Sequence, residues 1–141
     1  MNIHVKKLHP DAKLPSRAHF DDAGVDLYSV ENIILKPGDR VGVKTGIALA
    51  IPSGFVGLVW DKSGLALKSG IKIMGGVIDA GYRGEIQVIM KNLGDEDLSI
   101  EVGQKLAQLL VQKVELYEIE EVDELEEATR GDNGFGSTGK F

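Results

Sequence analysis

The chain has 141 residues, of which 43% are hydrophobic, enough for one domain with a real core and too apolar for a disordered segment. It has no cysteine, which excludes disulfides, thiol catalysis and Cys-based zinc sites and fits a cytoplasmic location. The net charge of −6 is uneven: residues 115–127, ELYEIEEVDELEE, hold eight acids and no base, and the remainder is near +2, so an anionic ligand is electrostatically acceptable.

No apolar run approaches the ~20 residues of a transmembrane helix, and MNIHVKKLHP lacks the apolar stretch of a signal peptide. His4, His9 and His19 form no HExxH pair, which argues against a zinc hydrolase. There is no basic patch with interleaved aromatics, so nucleic acid is not an expected partner.

Taken in order, the chain shows short strand-like runs broken by Gly, Pro, Asn and Asp. Ile3 to Leu8 is the first, Val25 to Val30 the second, and Ile33 to Leu35 precedes the turn Lys36-Pro37-Gly38-Asp39. Val41, Val43, Ile47, Leu49 and Ile51 alternate with small or polar residues, the period of a half-buried strand. Phe55 to Trp60 follows the turn Pro52-Ser53-Gly54. Ser63 to Lys68, SGLALK, is the one helical candidate, with Ser63 at the N-cap. Gly75 to Glu85, GGVIDAGYRGE, reads as a tight β-hairpin. Ile86, Val88 and Met90 alternate with Gln87, Ile89 and Lys91. Leu106 to Val114 and Leu116 to Val122 are the last expected strands. Some ten short strands at this spacing predict an all-β sandwich or jelly roll. The expected division is a β domain over residues 1–129 and a glycine-rich arm, RGDNGFGSTGKF, over 130–141.

Several residues carry chemistry. GGVIDAGYRGE has four glycines in eleven residues, more than a turn needs, and glycine lets backbone approach a ligand closely. Between them lie Asp79, which can activate a water or simply cap the turn, and Tyr82, which can stack on a base or sugar or cover the core. Ser63 and Gly64 open the short helix, whose N–H groups suit a phosphate or an ordinary cap. Gln108 lies in an otherwise apolar strand and needs a partner, in the core or on a ligand. Arg130 can bind phosphate. The acidic run is a solvated edge or a docking surface.

In order, AGVDL (23–27), KSGLA (62–66), GGVIDAGYRGE (75–85), GQKLAQLLV (103–111) and RGDNGFGSTG (130–139) resemble the five motifs of the trimeric dUTPase family, across nearly the whole chain. The resemblance implies a jelly-roll homotrimer with active sites between subunits, each closed by a neighbour's C-terminal arm. The implied reaction is hydrolysis of dUTP to dUMP and pyrophosphate, with Mg²⁺ on the triphosphate and no direct protein ligand to the metal. Asp79 matches the residue that directs water at the α-phosphorus. Tyr82 matches the residue packed under the deoxyribose, and the backbone of Gly76, Val77 and Ile78 would read the uracil edge. Lys62, Ser63, Gly64, Gln108 and Arg130 match phosphate contacts. Phe135 matches the arm aromatic stacked on the base, with Gly136, Ser137 and Thr138 beside it toward the β- and γ-phosphates. Asp26 matches a carboxylate near the hydrated metal.

The chain departs from the family pattern at three places. Asp61-Lys62-Ser63-Gly64 stands where Pro-Arg-Ser-Gly is usual, with Asp61 expected to pair with Lys62 or Arg83. Gly75 replaces a common Asn. Asp79-Ala80-Gly81-Tyr82 replaces Asp-x-Asp-Tyr. The last change resembles the related dCTP deaminases, but the position of their catalytic glutamate falls on Ile89, which cannot move a proton. A non-catalytic nucleotide-binding trimer is the other alternative.

Overall fold

The computed structural model describes residues 1–141. Ten strands and one short helix follow in order: β1 (His4–Lys7), β2 (Val25–Tyr28), β3 (Ile33–Leu35), β4 (Arg40–Ala50), β5 (Phe55–Trp60), α1 (Ser63–Ser69), β6 (Ile71–Met74), β7 (Val77–Ile78), β8 (Glu85–Asn92), β9 (Leu98–Ile100) and β10 (Lys105–Lys113). They form two four-stranded sheets, β1-β4-β8-β6 and β2-β10-β5-β7, with β3 and β9 paired apart. This is the all-β, jelly-roll-like sandwich expected from the strand spacing.

The core lies where the inward rows of the two sheets meet. On β8, Ile86, Val88 and Met90 are buried while Gln87 and Ile89 are exposed, the alternation of a strand with one face on the core. From the other sheet Leu27, Val59, Leu106 and Leu109 complete it. The 11-residue β4 serves two neighbours: Arg40 to Lys44 pair with β8, and Ile47 to Ala50 pair with β1. The switch falls at a bulge around Gly46, at φ +68, whose N–H donates to Glu85 Oε1 at 3.0 Å. A bulge re-aims a strand at such a point.

Four local expectations change. GGVIDAGYRGE is not a hydrogen-bonded hairpin: β7 pairs with β5, and β8 belongs to the opposite sheet. The turn therefore crosses between the two sheets, because Val77 and Ile78 satisfy their ladder on β5 before the chain reverses. Ser63 is the first helical residue, and the N-cap is Lys62, without a side-chain cap bond. Leu116 to Val122 form no strand; after Val114, whose N–H reaches Gly54 O, the backbone leaves the sheet, and residues 115–133 are exposed. That segment has strand-like composition but pairs with no strand of its own chain, and its eight acids oppose collapse onto the core. Conversely, β6 and β9 were not foreseen; both are short strands whose partners, β8 and β3, are set by tertiary pairing.

Candidate active site

The crossing turn is tied by its own residues. The Tyr82 N–H donates to Asp79 O at 3.1 Å, and its hydroxyl donates to Glu85 O at 3.0 Å. Arg83 Nη1 donates to Ala80 O at 2.6 Å and Tyr82 O at 2.9 Å, so it is spent on the turn and not on Asp61. A Cβ at Gly84 would displace the Tyr82 ring and hydroxyl from this position. Upstream, Gly76 has φ +84, and a Cβ would stand 2.7 Å from Val59 O; its own carbonyl accepts from Val59 N at 2.8 Å. These constraints hold Val77 and Ile78 as the outermost strand of their sheet, with β5 on one side and no strand on the other. An edge strand presents unpaired N–H and C=O groups.

A cavity of about 400 Å³ opens here, lined by Val77, Ile78, Asp79 and Tyr82 from the turn and by Glu85, Gln87 and Ile89 from the outward row of β8. Asp79 and Tyr82 are exposed. The three β8 residues were not assigned a role by sequence; their period-2 spacing after the turn places them on one face, but which face meets the cavity depends on the sheet crossing.

A second group forms on the other half of the same sheet. Asp26, Gln108 and Trp60 lie opposite one another across β2, β10 and β5. Asp26 is 6% exposed and accepts from Lys62 Nζ at 2.6 Å and Lys105 Nζ at 2.7 Å. Burial is the largest influence on its carboxyl and pushes it up. Hydrogen bonds from Lys105 and Lys62, and their charges, outweigh burial and hold it below the usual carboxylate value. The same pairing raises Lys105. Gln108 Nε2 donates to Asp61 O at 2.9 Å, the partner a part-buried amide needs. Asp61 pairs with Lys72 at 2.7 Å and accepts from Ile73 N at 2.7 Å, not with Lys62 or Arg83. Its side chain turns toward β6, so its charge is neutralised away from Ser63 and Gly64. Lys105 and Lys72 were missed because both ion pairs depend on strand partners distant in sequence.

Asp26 yields a stability prediction. Its carboxyl is easier to ionise folded than unfolded, so the pair stabilises the protein above about pH 4 and is lost as pH falls through the lowered folded value. Asp26→Asn leaves two ammonium groups on a neutral amide and should cost about 1–3 kcal/mol at pH 7. Thermal melts from pH 7 to pH 3 should show that difference narrowing on the acid side; a constant difference would remove the pairing as its cause.

The two groups are not joined within one chain. Ile78 is level with Gly57, which sets Asp79 level with Val56, and Gln108 is level with Trp60, so Asp79 and Asp26 belong to opposite ends of β5, roughly 13 Å apart along the strand at ~3.3 Å per residue. The arm is apart from both. Arg130 Nε donates to Asn133 O within the arm, Phe135 is fully exposed, and Ser137 and Gly139 make only local turn bonds to Gly134 and Gly136. Lys62, Asp26 and Gln108 come together; Gly76, Val77, Ile78, Asp79 and Tyr82 come together; Arg130 to Thr138 meet neither group. Ser63 and Gly64 are exposed beside Lys62 at the start of α1.

Comparison with known proteins agrees with this architecture. The dUTPase family model matches residues 10–139. The deoxyuridine 5′-triphosphate nucleotidohydrolase of Mycobacterium leprae (strain Br4923) is 52% identical, covering 98% of this chain and 95% of that protein. Its counterpart in Corynebacterium diphtheriae is 51% identical over 97% and 92%. The dUTPase of Staphylococcus bacteriophage 80alpha, solved with dUpNHpp, superposes with a TM-score of 0.94 at 32% identity, covering 99% of each chain. A mutant dUTPase from phage phi11 of S. aureus, with a coordinated structural Mg(II) ion, gives 0.84 at 31% identity over 88% and 98%. Fold and relatives together define a hydrolase of nucleoside triphosphates. The chain belongs to the dUTPase family.

Proposed function

We propose that this chain hydrolyses dUTP to dUMP and pyrophosphate, with Asp79 directing the attacking water at the α-phosphorus. The observation that carries this reading is the cavity at the crossing turn, where a free strand edge, a carboxylate and a tyrosine face one space of nucleoside size. The outer edge of Val77 and Ile78 offers the alternating donors and acceptors that a uracil edge requires. Backbone is a stiff reader, since its groups cannot rotate away. Tyr82, held by Glu85 O, forms the floor for the deoxyribose, and its ring leaves no room for a 2′-hydroxyl.

The phosphates need positive charge, and in one chain the cations Lys62 and Lys105 lie with Asp26 at the other end of β5. A homotrimer resolves this separation: the turn of one subunit meets Lys62, Ser63, Gly64 and Gln108 of another. The arm, Arg130 to Thr138, then closes over the bound nucleotide, with Phe135 on the base and Arg130, Gly136, Ser137 and Thr138 on the phosphates. Exposed Leu116, Ile119 and Leu125 support a segment that gains its contacts from a neighbour. We also place the protein in the cytoplasm, on its cysteine-free composition.

Mg²⁺ belongs to this reading as an ion carried by the triphosphate. No group of three or more His, Cys, Asp or Glu side chains is arranged to hold a metal, and the one buried carboxylate near the cations has both oxygens on ammonium groups. That donor set fits an outer-sphere ion, with Asp26 accepting from its water shell; Mg²⁺ commonly keeps several waters. When bound it would neutralise phosphate charge.

The test is incubation with each deoxynucleoside triphosphate and UTP in Mg²⁺. Pyrophosphate from dUTP but not from dTTP or UTP supports the assignment. Ammonia from dCTP would replace it with deamination, and tight dUTP binding without turnover would replace it with a sensor.

A further inference from the structure

Asp61 is tied more firmly than any residue around it, and the proposed chemistry gives it no part. It is the one residue between Trp60, the end of β5, and Lys62, the N-cap of α1. There the chain leaves the sheet β2-β10-β5-β7 for β6, the outermost strand of the opposite sheet. The helix cannot set the place of that passage, since it has seven residues, none of them buried, and no side-chain cap bond at Lys62. Asp61 sets it through three bonds. Its Oδ1 accepts from Ile73 N at 2.7 Å and its Oδ2 from Lys72 Nζ at 2.7 Å, both on β6. Its main-chain carbonyl accepts from Gln108 Nε2 at 2.9 Å, on β10. One residue thus fastens the end of β5 to both sheets. Burial pushes its carboxyl up, and the bonds from Lys72 and the Ile73 N–H outweigh burial and hold it below the usual carboxylate value, so the clamp is ionised at neutral pH.

We infer that Asp61 is a positioning residue for the triphosphate: it touches no phosphate and fixes groups that do. This rests on the reading that Lys62, Ser63, Gly64 and Gln108 receive the phosphates. The Gln108 amide nitrogen has two N–H bonds. Asp61 O takes one, which fixes the amide plane and leaves the other for a ligand. The peptide that carries the same carbonyl begins Lys62, whose ammonium is held on Asp26 at 2.6 Å. A shift of Asp61 therefore displaces the Gln108 amide and the Lys62 backbone together. A bare carboxylate at this place would repel a triphosphate; Lys72 offsets its charge. A site that binds by placement depends on such support, and misplacement by about 1 Å can cost ~10²-fold.

The experiment measures calorimetric affinity for dUpNHpp and for 2′-deoxyuridine, which has no phosphate, in wild type, Asp61→Ala, Asp61→Asn and Asp61→Glu. Asp61→Ala frees the end of β5 from β6 and should weaken dUpNHpp roughly tenfold or more, within the ~10²-fold range of a displaced positioning group, with deoxyuridine unchanged. Asp61→Asn keeps an acceptor for Ile73 N and loses the pair with the exposed Lys72, so it should stay within about threefold of wild type. Asp61→Glu keeps the charge but sets the carboxylate one methylene further from the carbonyl on Gln108, and should change affinity in the direction of Asp61→Ala. Wild-type dUpNHpp affinity in both the Ala and Glu variants overturns the inference. So does equal weakening of dUpNHpp and deoxyuridine, the mark of a merely structural role. Asp61→Asn as weak as Asp61→Ala would make charge the cause and also overturn it. Should Asp61→Ala fail to fold, Asp61→Glu decides by the same comparison. A wild type that binds dUpNHpp without turning over dUTP overturns the functional reading alone; one that does not bind it overturns both.

Discussion

Asp79→Asn should retain nucleotide binding and lose about 10³-fold in kcat. Its carboxylate is the exposed one on the crossing turn that faces the cavity, and positioned general-base catalysis contributes typically ~10²–10⁴-fold. The amide has nearly the same shape and cannot accept the water's proton. The turn should survive the change, because its ties come from the Asp79 backbone carbonyl, the Tyr82 hydroxyl and Arg83, not from the Asp79 side chain. Binding can be followed with dUpNHpp through the single tryptophan, Trp60, which is half-exposed opposite Gln108. Turnover within threefold of wild type would take Asp79 out of the mechanism. Loss of binding along with rate would make it a contact residue instead.

Removal of residues 130–141 should leave the thermal midpoint within about 1 °C and lower kcat/KM by roughly 10²-fold or more, in line with the loss of a closing, positioning element. Stability should hold because every hydrogen bond of the arm is internal to it or to its immediate base, such as Gly131 N to Ala128 O. Activity should fall because the arm brings an exposed arginine, Arg130, and an aromatic, Phe135, that has no contact surface until a base is present. The same truncation should leave the oligomeric state unchanged, since the apolar residues of 116–125 remain. Size-exclusion chromatography with light scattering checks this. Wild-type activity in the truncated chain would mean that the arm does not close the site.

Within one chain the crossing turn and the Asp26–Lys62–Gln108 group stand apart. That division follows from topology. Val77 and Ile78 pair with Leu58 and Gly57 in the middle of β5, while Gln108, level with Asp26 on its other side, meets Trp60 at its end. The length of β5 separates the free edge of β7 from Lys62 and Lys105. The two departures in the second motif are also reconciled by geometry. Lys62 gives up the planar fork of an arginine, but Asp26 orients it at 2.6 Å. Asp61 is bound by Lys72 and the Ile73 N–H and does not oppose a phosphate.

Much of this protein was determined by sequence alone because the signals are local. Strand alternation in β4 and β8, the turn chemistry of Lys36 to Asp39 and the glycines at 75, 76 and 84 depend on steric rules that act over a few residues. So do the five ordered motifs, which identify the family before any coordinate. What only the tertiary structure decided depends on partners far along the chain. Val77 and Ile78 look like one arm of a hairpin, but β5 captures them, and the turn carrying Asp79 crosses from one sheet to the other. Leu116 to Val122 have the composition of a strand and form none, because the backbone leaves the sheet after Val114 and runs exposed among acidic neighbours. Lys105 and Lys62 converge on Asp26 only through the pairing of β2 with β10 and β10 with β5. Ile89 becomes a cavity wall because β8 turns its outward row toward the crossing segment. Composition and spacing specify which residues can make a strand or a site; the competition among strands for hydrogen-bonding edges decides which of them meet.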